Sequence, residues 1–90
     1  MSFYDKYIWG EEYLHYYDFK KAVKQCKENR IKILWWDLIL ITKNGIEPKD
    51  IIDFSREIDI DKCCDMSLSI VEKIPDKEKY LYIPVLQIEE

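Results

Sequence analysis

Only two glycines and three prolines punctuate this 90-residue chain, and alanine occurs once, at Ala22. So few chain breakers exclude low-complexity linkers and the usual composition of a disordered tail. Gly10 and Gly45 stand alone, which removes phosphate-cradling glycine loops from consideration. Histidine is also single, at His15, with no serine or cysteine near it in sequence, so nothing marks a hydrolytic triad. The longest apolar run, Ile33 to Ile41, is interrupted by Asp37 and falls short of the ~20 residues that span a bilayer. Met1 to Leu14 carries Asp5, Lys6, Glu11 and Glu12, unlike the basic start and unbroken apolar core of a secretion signal. A cytoplasmic location without membrane insertion is therefore the expectation.

Cofactor and metal chemistry find equally little support. Cys26, Cys63 and Cys64 are odd in number and two are adjacent, which describes neither a disulfide framework nor the spaced grip of a zinc site. Glu12-x-x-His15 matches half of a di-iron carboxylate motif that needs two copies and further glutamates. Asp59-x-Asp61 opens like an EF-hand loop, but Cys64 stands where the glycine belongs and Ile70 where the bidentate glutamate belongs. Asp37 followed by Glu47-Pro48-Lys49 has the side chains of a metal-dependent nuclease, interrupted by proline and reading as a helix entry. No catalytic residue, metal ligand or cofactor is assigned.

What is present describes one domain over residues 1–90. A chain of this size buries only about 60–65% of its unfolded surface, and the composition offsets that with 48% hydrophobic and 14% aromatic residues. Isoleucine and lysine are abundant and arginine scarce, a codon bias that fits a low-GC bacterium or a phage of one.

Phe19, Ala22, Val23 and Cys26 recur at helical spacing, with Lys20, Lys21, Lys24 and Lys27 on the other face. A helix over 18–29 is predicted, reaching back toward Tyr16. Ile31 to Thr42 is β-branched and aromatic on both faces and ends at Asn44-Gly45, as a central strand covered on both sides would. Pro48, with Ile51, Phe54, Ser55 and Ile58 along one side, predicts a short second helix. Met66 to Ile74 and Tyr80 to Ile88 read as strands of a hairpin around the polar 75–79 turn, and Pro84 confines the last to an edge or puts a bulge in it. The sum is α+β: a small antiparallel sheet of three to four strands with two helices packed on it.

Charge and aromatics are the informative surfaces. Lys20 to Lys32 holds six basic residues against Glu28, and Glu47 to Asp65 holds seven acids against Lys49, Arg56 and Lys62, within a net charge of −4. Eight aromatics crowd residues 3–19, more than a small core takes in, and Tyr and Trp are favoured at binding hot spots. The expectation is a non-catalytic protein-binding module that inhibits by occlusion, of immunity-protein, antitoxin or phage anti-defence (anti-CRISPR) type. Tyr4, Tyr7, Trp9, Tyr13 and Tyr17 would anchor the partner, while Asp53, Glu57, Asp59 and Asp61 steer toward its basic surface. The alternative is nucleic-acid binding through Lys20, Lys21, Lys24 and Lys27, with homo-oligomerisation at the Pro84 edge or the N-terminal aromatics a further option.

Overall fold

Helix α1 spans Tyr16–Glu28 and buries Tyr16, Phe19, Ala22, Val23 and Cys26, the stripe that the spacing predicts. The computed structural model describes residues 13–87. Its end is a Schellman motif: Ile31 N–H donates to the Cys26 carbonyl at 2.9 Å and Arg30 N–H to Lys27 at 3.3 Å, with Arg30 left-handed at φ 56°. Ile31 then packs against the core, which turns the chain directly into the next strand.

Strand β1, Lys32–Thr42, lies at the centre of a three-stranded antiparallel sheet of order β2-β1-β3, as its composition predicts. It turns through Asn44 into β2, Gly45–Asp53, with Gly45 at φ 120° where a side chain would be strained. The expected helix entry at Pro48 is therefore a strand. Pairing with β1 shifts register between Leu38 and Ile39, so an extra residue at Lys49 breaks the two-residue alternation and hides the strand in the sequence.

Helix α2 occupies Ile60–Glu72, its first turn capped by the Asp59 side chain. The strand expected over Met66–Ile74 is thus helical. Met66-Ser-Leu-Ser-Ile alternates like a strand, yet Ile60, Cys63, Cys64, Ser67, Leu68 and Val71 also satisfy the helical spacing. The helical set is the one buried or packed on the core. A 3-10 turn at Lys77–Lys79 then leads to β3, Leu81–Gln87, which pairs with β1 instead of forming a hairpin with its predecessor.

Both helices pack on one face of the sheet, over Ile33, Trp36, Leu38 and Tyr82. Phe19 lies between Trp36 and Tyr82, with ring centroids 4.9 Å from each. Such ring pairs add about 0.5–1.5 kcal/mol beyond area burial. The described helices thus cover β1 on one side, where its sequence predicts cover on both.

Both sheet edges are guarded against further strands. Tyr82 N–H points away from β1 and donates to the Leu14 carbonyl at 2.8 Å, so Pro84, two residues on, also faces outward and needs no donor there. On β2, Phe54 N–H points inward to Leu34, so alternation turns Ile51 N–H outward, where the Asp50 carboxylate accepts it at 2.8 Å. Pro48 carries no N–H, and the Lys49 bulge twists the edge. These are the devices by which edge strands avoid pairing with other chains.

Candidate protein-binding surface

The face of the sheet opposite the helices is apolar and carries the candidate site. Side chains alternate along a strand, so Trp35, Asp37, Ile39 and Ile41 of β1 point away from the Ile33, Trp36 and Leu38 face. Register places Ile51 and Ile83 on either side of Asp37, Pro48 and Leu81 beside Ile39, and Val85 beside Trp35. Ile41 and Ile46 face each other across β1 and β2 and are 57% and 52% exposed, while Ile51 is 61% exposed. Asp37, Ile39, Pro48, Lys49, Ile51 and Ile83 share one shallow depression, in which Ile39 is buried at 4% exposure and Ile51 is the exposed wall.

Within this surface Asp37 is the one carboxylate on β1. It is half-buried, and among the described residues it forms no ion pair. Lys49 is committed to Glu47 at 2.7 Å. The nuclease-like trio is therefore divided: Asp37 and Lys49 line the depression, and Glu47 does not. No group of three or more His, Cys, Asp or Glu side chains is placed to hold a metal among the described residues.

No family model, curated protein or solved structure matches this chain. The surface must be read from its own chemistry.

The separated charges of the sequence meet each other in part in the fold. Lys20 pairs with Glu72, Lys27 with Asp65 at 2.8 Å and Arg30 with Asp61 at 2.6 Å, joining the basic face of α1 to the acids of α2. Lys21 and Lys24 form no ion pair among the described residues. At the other end of α1, Glu72 accepts from Lys20, the Tyr16 hydroxyl and Lys77, in that order of effect, which holds its carboxyl down at about 2. The Tyr16 ring lies within cation–π reach of both ammoniums, at 5.1 Å from Lys20 and 5.2 Å from Lys77.

The acids expected to steer a partner also serve the local backbone. The Asp53 carboxylate accepts from Ser55 N–H at 2.8 Å, which lowers its pKa. Asp59 accepts from Lys62 N–H at 3.2 Å, and Glu57 accepts from Asp59 N–H at 3.3 Å. Glu57, Asp59 and Asp61 come together around Ile58 in one depression with Arg30 and Lys62; Asp53 is not part of it. Ile58 itself is 89% exposed, an aliphatic side chain held out among acids.

Of the expected aromatic anchors, Tyr13 is 46% and Tyr17 62% exposed, and the Tyr17 hydroxyl donates to Glu78. Tyr4, Tyr7 and Trp9 lie outside the described residues. His15 precedes α1 as its N-cap without a side-chain capping bond. All three thiols are buried, and desolvation raises Cys26 to about 12 and Cys64 to about 11. Sequence reasoning missed the Trp35–Ile39–Ile51–Ile83 face. Its signal was the apolar residues at both parities of 33–41, with Ile46 and Ile51 following once 45–53 is taken as a strand.

Proposed function

We propose that this protein is a non-catalytic protein-binding module that inhibits by occluding its partner, in the manner of an immunity protein, antitoxin or phage anti-defence protein acting in the cytoplasm. The observation that carries this reading is the sheet face at Ile41, Ile46 and Ile51, three large aliphatic side chains each more than half exposed on a sheet whose edges are guarded. Contiguous exposed apolar surface of this kind marks interaction sites. Glu57, Asp59 and Asp61, offset only in part by Lys62 and Arg30, leave a negative excess that steers a basic partner on approach, raising association rate more than final affinity.

The test is a photo-crosslinking amino acid placed at Ile51 in the cell that expresses the protein. A stoichiometric adduct with one other protein is expected, and the same probe at Lys24 on α1 gives none. Adducts only with the chain itself, or none at all, would count decisively against the reading.

A further inference from the structure

We infer that the sheet face takes a single amphipathic helix from the partner protein, with a lysine or arginine of that helix set against Asp37. The inference rests on the protein-binding reading and adds the chemistry of the partner. Its first support is shape. Three strands about 4.8 Å apart make a face about 14 Å wide, which seats one helix of about 10–12 Å diameter and not two. The seven residues of β3 set a length of about 23 Å at 3.3 Å per residue, equal to about 15 helical residues at 1.5 Å rise.

The second support is the guarded edge. An extended segment would have to add to β2, where Ile51 N–H is already held by Asp50 at 2.8 Å and Pro48 has no N–H. Strand addition draws its affinity from main-chain hydrogen bonds, and at the middle of β2 one such donor is taken and the next is absent. A helix satisfies its own backbone and asks only for the apolar face.

The third support is charge. Asp37 sits between Ile51 and Ile83 and has no ion-pair partner among the described residues. A wholly apolar helix would bury that carboxylate uncompensated, which is costly; a helix with one cation at that height of its stripe supplies the counter-charge. Asp37 thereby selects among helices by penalising the wrong ones. A second copy of this chain is the poorer occupant. An isologous contact across this face brings the two central Asp37 carboxylates toward each other.

Three synthetic 16-residue amphipathic peptides test this, identical in their leucine stripe and carrying Lys, Leu or Glu at its centre. They are titrated into the full chain while the Trp35 indole and the Ile51 and Ile83 methyls are followed by NMR. The Lys peptide is expected to shift these signals and to bind at least tenfold more tightly than the Glu peptide, with the preference lost in Asp37→Asn. Equal affinity for Lys and Glu peptides, or shifts confined to the helical side, would overturn the inference. So would a free protein whose face methyls show contacts to residues 1–12 or shift with protein concentration, since the chain itself would then be the occupant. A partner captured at Ile51 together with no Lys preference defeats only the helix-and-cation inference; failure of the crosslink defeats the binding reading beneath it.

Discussion

The Trp36 indole N–H donates to the Ser67 hydroxyl at 3.1 Å, and that hydroxyl donates onward to the Cys63 carbonyl at 2.8 Å. Both side chains are fully buried. This relay fixes α2 against the central strand and satisfies every polar atom it takes from water. Ser67→Ala leaves the indole N–H unpaired and should cost about 1–3 kcal/mol. Urea unfolding would show a lower midpoint with an unchanged slope. Adding Trp36→Phe should cost less in the Ser67→Ala background than in the wild type, and equal costs would show that the relay contributes nothing.

The thiols should be inert while the chain is folded. Burial pushes Cys26 up to about 12 and Cys64 up to about 11, and raises Cys63 as well. The thiolate is the reactive species, so an aromatic disulfide reagent at pH 8 should label none of the three until urea unfolds the protein. Rapid native labelling of even one would contradict the packing of α1 on α2.

Glu72 predicts a particular acid response. Its pKa is depressed from 4.5 to about 2 by the hydrogen bonds from Lys20, Tyr16 and Lys77. A depressed carboxylate stabilises the fold fully above its unfolded value and loses that contribution as pH falls through its folded value. The advantage of wild type over Glu72→Gln should therefore be constant from pH 7 to 5 and shrink between about 4.5 and 2. Its side chain is 43% exposed, so added salt should weaken the effect. An advantage that persists unchanged at pH 2 would refute it.

The guarded β2 edge makes a prediction about solubility. Asp50→Ala combined with Pro48→Thr frees the Ile51 donor and restores a second one, and the double variant should self-associate. Light scattering at rising concentration would show growth in the variant and a steady size in the parent. A monodisperse variant would mean the edge needs no such protection.

The class of fold was legible in the sequence, while two of its elements were exchanged. The stripe from Phe19 to Cys26 and the apolar run from Ile33 to Ile41 each fit one period, and each became the expected element. Residues 45–53 did not, because the Lys49 bulge shifts Ile51 off the alternation begun by Ile46. Residues 66–70 fitted two periods, and the choice lay with Asp59 as a cap and with the adjacent Cys63 and Cys64, which only a helix buries together on one face. The charge blocks were plain to see, but their destination was not. Whether a basic stretch faces solvent or an acidic helix is decided by tertiary packing, and once Met66–Ile74 is taken for a strand that pairing cannot be drawn.

Tyr82 has consequences for how the molecule is made. Its ring stacks on Phe19 and its backbone joins Leu14 to the sheet, so α1 and β3 complete each other. A nascent chain stalled before residue 82 has only the β1–β2 hairpin as its sheet, and its cluster of three aromatic rings lacks one. Domains acquire structure as they leave the ribosome, yet here the sheet that begins at β1 is completed only when Leu81–Gln87 has been made. Truncation there should release an aggregation-prone chain and not a smaller domain.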